Sequence, residues 1–278
     1  MNIPSSGLGS ILTAHRNVIA NMNRNFDILS TGTKVGKPKN NPVIYKEIEL
    51  HNETFRKLEV FSNNLHAAGS SVGVALSSMT MADEQLKLME QKLRDAIFYP
   101  EGSEDRAHHL REYNRMLPLI NDIARAPDPG ARRLLDSPHD FDEAGDIFVK
   151  IAPEGQQLRL RAQPIHVGED GLDVRLIDDP VATNDDRIRE EIIRLELARE
   201  TLLDKSKALG VDASTIEKSL NFNGALMNQH QMAATRLDDT DLNREAILST
   251  SLKVRQELAL NSIQSVLGNR EMALQLLR

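Results

Sequence analysis

FSNNLHAAGSSVGVALSSMTMADEQLKLMEQKLRDA, residues 61–96, decides the fold of this chain. Within it Phe61, Leu65, Ala68, Val72, Ala75, Met79, Ala82, Leu86, Met89, Leu93 and Ala96 recur at steps of four and three without a miss. On an α-helix that spacing puts every apolar side chain on one stripe. A stripe sustained over so many turns needs a partner helix to cover it. Upstream, Ile44, Ile48, His51, Phe55 and Leu58 carry the same rhythm, and two successive steps of three around Leu58 mark a stammer. The spacing predicts one helix from about Ile44 to Phe98, on the order of 80 Å long.

Working outward, both ends of the chain carry similar seams. Leu8, Leu12, His15, Ile19, Met22, Phe26 and Leu29 step by four and three, and Leu260, Ile263, Leu267, Leu274 and Leu277 keep the rhythm near the C-terminus. Chain ends ordinarily fray and stay polar, so seams there predict association surfaces. Residues 8–30 read as a helix with Ser5 and Ser6 as candidate N-caps. Two glycines, two prolines and Asn40-Asn41 make residues 31–42 a connector.

After the long helix, Tyr99-Pro100-Glu101-Gly102 is a break. Ser103-Glu104-Asp105 then caps a helix over about 104–125, with a kink expected at Pro118. Ala126-Pro127-Asp128-Pro129-Gly130 reads as a closing turn. Residues 146–151 and 157–161 alternate with period two around Pro153-Glu154-Gly155, which predicts a hairpin, and Val174–Ile177 reads as a further short strand. Asp185-Asp186 then reads as the cap of a helix over 186–208 carrying Ile188, Ile192, Leu195 and Leu202, stopped by Gly210. A second helix over 213–236 follows, through Ile216, Leu220, Met227, Ala234 and Leu237. Asp238-Asp239-Thr240-Asp241 caps a last helix, 241 to about 276. The fold class expected is mainly α: a long antiparallel helical bundle or coiled-coil rod with a small β-hairpin region in the centre of the chain.

Composition agrees with helices and argues against most chemistry. Aromatics are 4% of the 278 residues and tryptophan is absent, which suits Leu, Ile, Met and Ala packing rather than ring-lined pockets. The net charge of −7 argues against non-specific nucleic-acid binding, and no apolar run is long enough to predict membrane insertion. With no cysteine there is no disulfide, thiolate nucleophile or cysteine zinc site. The eight histidines form no HExxH, no GxSxG or Walker A occurs, and Gly7-Leu8-Gly9 lacks the third glycine of a nucleotide fingerprint. No catalytic residue, cofactor or metal is expected. His15 reads as a tolerated polar seam residue, and Lys34, Lys37 and Lys39 as a solvated or contact-making connector.

Several stretches resemble bacterial flagellin in the same order along nearly the whole chain. Phe26–Val35 (FDILSTGTKV) resembles the stretch that closes the family's first helix. Lys37–Pro42 (KPKNNP) stands at its connector, with Asn40 and Asn41 in place of two acids and with Pro38 and Pro42 stiffening it. Asp128–Asp136 (DPGARRLLD) resembles the turn before the β region, and Arg236–Glu245 (RLDDTDLNRE) the opening of the last helix. Met272–Arg278 (MALQLLR) resembles the family's ending. The short centre is similar to alphaproteobacterial flagellins.

The resemblance implies a structural, non-enzymatic subunit that polymerises into the flagellar filament for motility. It implies export by the flagellar type III route without a cleaved signal peptide, and an extracellular place on the flagellum. The implied partners are further copies in a helical homopolymer, an export chaperone, and hook-associated and capping proteins. Residues 1–42 and 236–278 would form the inner filament core, disordered before assembly. Residues 43–235 would form a helical rod domain with the β region at about 145–178. The self-assembly interface would be Leu8, Leu12, Ile19, Met22, Phe26, Leu29, Leu260, Ile263, Leu267, Leu274 and Leu277. Gln91, Lys92, Leu93, Arg94 and Asp95 stand at the segment read by the innate immune flagellin receptor. Two other readings are a hook–filament junction protein or minor flagellin, and a cytoplasmic coiled-coil adaptor with both ends already ordered.

Overall fold

The stripe at 61–96 lies within α2 (Pro42–Ile97) of a computed structural model that describes residues 5–136, 145–151 and 155–276. From Leu65 to Ala96, every position of the stripe is buried. The protein is mainly helical with one two-stranded antiparallel sheet among the described residues. It divides into two compact units, one of Met1–Phe55 with Asn228–Arg278 and one of Arg56–Met227. The 1–42 and 236–278 segments both fall in the first.

In the first unit, α1 (Ser5–Thr31) already contains Ser5 and Ser6, so neither serine caps it as expected. Gly32 ends it at φ +69, a conformation that favours glycine, and its N–H donates to the Ile28 carbonyl at 2.8 Å. The connector is fastened rather than loose. Lys34 N–H donates to the Asp238 carbonyl at 2.8 Å, and Val35 N–H to Asp238 Oδ1 at 2.9 Å. Lys37 pairs with Asp27 at 3.0 Å and, by hydrogen bond first and charge second, holds that carboxyl below its ordinary range. Asn41 Oδ1 accepts from Ile44 N–H at 3.2 Å, and Pro42 supplies the preset φ of a first helical residue, so the connector's last two residues start α2.

In the second unit, α3 (Glu104–Ala124) is capped by Ser103 and runs helical through exposed Pro118. The expected closing turn at 126–130 instead leads into α4 (Pro129–Leu135). Asp128 Oδ2 accepts from Ala131 N–H at 2.7 Å, and Pro129 stands at the first helical position. β1 (Ile147–Lys150) pairs with β2 (Gln157–Leu160) in the predicted hairpin, Ile147 opposite Leu160 and Lys150 opposite Gln157. Pro153 and Glu154 of its turn lie outside the described residues.

Val174–Ile177 is not a strand, and the reason is where its backbone groups bond. Arg175 N–H donates to Glu191 Oε1, and the Arg175 carbonyl accepts from the Tyr113 hydroxyl. Asn114 exchanges two bonds with the Ile177 backbone, at 2.8 and 3.0 Å. Helix side chains satisfy Arg175 and Ile177, and the Val167 carbonyl accepts from Val174 N–H, so the segment needs no neighbouring strand.

The largest correction is α5 (Asp185–Asp238), a single helix where two were expected. Gly210 is exposed in its middle, with nothing within 4 Å of where a Cβ would sit. A mid-helix glycine costs about 1 kcal/mol relative to alanine. Burying Leu209 and Ile216 on either side contributes about 1.5–3 kcal/mol each and outweighs it. The cap is Asn184, whose Oδ1 accepts from Arg187 N–H at 3.0 Å; Asp185 and Asp186 occupy the first turn, where negative charge suits the helix dipole.

Within this unit α2 and α5 run antiparallel. Arg94 meets Glu196 at 2.9 Å, Arg199 meets Asp83 at 2.9 Å, Gly69 lies against Ile216, and Ser62 meets Met227. At the α2–α3 turn, buried Arg106 donates to the Tyr99 and Thr183 carbonyls and pairs with Asp185 at 2.7 Å. That ties the turn to the start of α5.

The last helix, α6 (Leu242–Leu276), opens at Asp241, whose Oδ1 accepts from Asn243 and Arg244 N–H at 3.0 and 3.1 Å. This is the expected capping role of the acidic run.

Candidate assembly surface of the terminal helices

α1 and α6 pack against each other closely enough for their Cα atoms to approach within 8 Å. Asn25, near the end of α1, meets Glu245, in the first turn of α6, so the two helices run antiparallel. On α6 the buried and half-buried positions include Glu245, Ser249, Leu252, Gln256, Ala259, Ile263 and Val266. They step by four and three throughout. On α1 the covered positions include Ile11, His15, Val18, Met22, Asn25 and Ile28. Small residues at Ser249 and Ala259 permit the close approach.

The covered stripe is rotated from the seam read in the sequence. At about 100° per residue, Leu12 and Phe26 lie roughly 40–80° to one side of Met22. They remain 40% and 43% exposed. Leu260 and Leu267 lie to one side of Leu252 by a similar angle and are 42% and 46% exposed. Ile19, Met22, Leu29 and Ile263 are half-buried. The side chains of Leu8 and Leu274, and the whole of Leu277, lie outside the described residues. α6 is apolar beyond this flank as well: Ile247, Val254 and Leu258 are exposed on its far side. A helix with apolar side chains on more than one side offers more than one face for packing.

Polar groups also sit in the covered stripe, among them Asn25 and His15 of α1. Asn25 is buried and its Nδ2 donates to the Glu245 carbonyl at 3.0 Å and to Glu245 Oε2 at 2.6 Å. His15 Nε2 is buried without a hydrogen-bond partner. The asparagine is the residue sequence reasoning missed. Its only signal was a polar residue within the apolar spacing of α1, between Met22 and Leu29.

The segment 91–95 lies on α2 in the second unit. Leu93 is buried. Lys92 pairs with Glu112 at 2.7 Å, and Arg94 with Glu90 at 2.6 Å and Glu196 at 2.9 Å. Gln91 and Arg94 are the residues of this segment that face solvent.

Among the described residues no group of three or more His, Asp or Glu is placed to hold a metal ion, and no helix is long and apolar enough to cross a membrane. An open groove of about 590 Å³ runs between Ala67, Ala68 and Ser71 of α2 and the β1 strand. Fold and surface define a mainly helical protein whose terminal helices pair and keep an apolar flank open. No protein-family model matches the chain, and no curated protein sequence matches it.

Proposed function

We propose that this chain is a structural subunit of the flagellin type, non-enzymatic, which polymerises through α1 and α6 into a flagellar filament. One observation carries the reading: α1 and α6 cover one stripe on each other and leave Leu12, Phe26, Leu260 and Leu267 exposed beside it. Together with the apolar far side of α6, that is more surface than a lone helix pair leaves to water, and further copies of the same pair would cover it. An antiparallel coiled-coil packing of α2 on α5 belongs to the reading, as do type III export, an extracellular place on the flagellum, an export chaperone and capping partners. The sequence stretches that resemble flagellin supply those parts.

The test is negative-stain electron microscopy of purified protein, seeded with short fragments or salted to promote assembly. Long uniform tubes are expected. Particles that only cap existing ends would move the assignment to a junction protein or minor flagellin.

A second reading has its own support. α1 and α6 are helical and paired within one chain. That is what a coiled-coil adaptor with ordered ends requires, whereas tails ordered only by polymerisation do not require it. Circular dichroism of the monomer, with and without about thirty residues at each end, separates the two readings. A fall in helix per residue on trimming favours the adaptor.

A further inference from the structure

We infer that His51 and His230 form a proton-sharing clasp that holds α2 to α5 in the first unit and opens when a second proton is added. The two residues lie 179 positions apart, and Nδ1 of one comes within 2.9 Å of Nδ1 of the other. At that separation one ring donates and the other accepts, because two lone pairs or two N–H groups facing each other repel. One imidazole therefore carries its proton on Nδ1 and its partner carries its own on Nε2.

The geometry selects a proton over a metal. The ring centres are 5.1 Å apart with the planes at 50°. Two imidazoles aimed head-on at this nitrogen separation would have centres about 5.3 Å apart. The nitrogens therefore point at each other along their common line. A metal ion held by both would need the lone pairs to converge away from that line, on bonds of about 2.0–2.1 Å.

The neighbourhood holds little that would stabilise two imidazoliums. One turn away on α2 stand Glu47, Ile48, Thr54 and Phe55; on α5 stand Leu226, Met227, Ala233 and Ala234. Glu47 is the one ionisable group among these and it is exposed. Glu49 and Glu53, two residues either side of His51, project from the opposite face of α2. The connector brings Val35 to Ile48 and Ala234, and its Lys34 meets Asp238 two turns further along α5. A first added proton turns the bond into a charge-assisted N–H⁺···N contact and keeps the clasp. A second leaves two cationic donors facing each other, and the clasp breaks.

The test uses the full chain. Nitrogen-15 NMR at about pH 8 reads the scalar coupling between the two nitrogens, and hydrogen exchange follows residues 44–55 and 228–238 at about pH 8 and pH 5, the span over which histidines charge. Expected are a coupling present at the higher pH and absent at the lower, and a loss of exchange protection of about tenfold or more on acidification after correction for intrinsic rates. His51→Gln and His230→Gln, each alone, keep a neutral polar side chain and should reduce that pH dependence to about twofold or less. Should one variant fold poorly, the other and the wild-type coupling carry the test. Protection independent of pH, an equal loss in the variants, or stoichiometric zinc binding that shifts both rings at the higher pH would each overturn the clasp. None of these outcomes depends on whether the chain forms filaments.

Discussion

Asn25 and Glu245 join the two ends of the chain through a side chain–side chain hydrogen bond of 2.6 Å and a second bond, to the Glu245 carbonyl, of 3.0 Å. Glu245 sits in the first turn of α6, where a carboxylate is favoured by the dipole, and Asn25 is buried. The bond fixes the register of α1 on α6, because a slip of either helix by one turn would leave Asn25 buried without its partner. Asn25→Ala is expected to destabilise the first unit by about 1.5–3 kcal/mol, the range for a hydrogen bond to a charged group. Hydrogen exchange along α6 in the monomer measures it. Protection equal to wild type would mean that the bond does not set register.

The covered stripe and the open flank should respond differently to charge. Ile263→Asp places an unpaired carboxylate in the half-buried stripe between α1 and α6, so helicity of the monomer should fall and assembly should fail with it. Leu260→Asp and Phe26→Asp place the charge on the exposed flank, so circular dichroism of the monomer should stay at the wild-type value while assembly is lost. Sedimentation and electron microscopy read the second effect. Normal assembly by both flank variants would remove the flank from the interface.

Lys205 gives a pH dependence of definite sign. Its Nζ donates to the Pro164 and Gly171 carbonyls, and burial pushes its pKa down from 10.5 to about 8. Between those values the folded chain has released a proton that the unfolded chain still binds. Stability from this group therefore rises with pH across that window and is least below it. Urea melts of wild type and Lys205→Met at pH values through the window isolate the effect as a difference. Wild type should gain on the variant as pH rises. A constant difference would show that Lys205 keeps its ordinary affinity for the proton.

Two glycines should give opposite results. Gly210→Ala, mid-helix in α5 with open space around it, is expected to stabilise by about 1 kcal/mol. At Gly171 a Cβ would lie 1.9 Å from the His166 carbonyl oxygen, so Gly171→Ala must displace the backbone of the 166–174 turn. Thermal melts of the two variants should move up and down respectively. A destabilised Gly210→Ala would mean that α5 bends at that glycine in solution.

Buried Tyr113 donates its hydroxyl to the Arg175 carbonyl and lies 3.0 Å from Glu191 Oε1, and burial followed by the charge of Glu191 raises its pKa. Tyr113→Phe keeps the ring and removes these bonds, so it should cost about 1–3 kcal/mol and loosen the 174–177 segment. Exchange rates at Arg175 and Ile177 check this locally.

Local pattern by itself determined the helical class, the extent of α2, the hairpin, the caps at Ser103 and Asp241, and the break at Gly32. Each depends on spacing or on a side chain bonding to its own neighbours, and such physics is written within a few residues. Only the tertiary structure decided the rest. α5 runs through Gly210 because Leu209 and Ile216 are buried on either side, and no local rule weighs that burial against one glycine. The 174–177 segment is not a strand because Asn114, Tyr113 and Glu191, distant in sequence, reach its backbone. The stripe that α1 and α6 cover on each other is turned from the apolar seam because both helices are apolar over a wide arc. Within that arc buried Asn25 finds Glu245, a partner that local spacing does not announce. The meeting of His51 with His230 likewise exists only once α2 and α5 lie side by side.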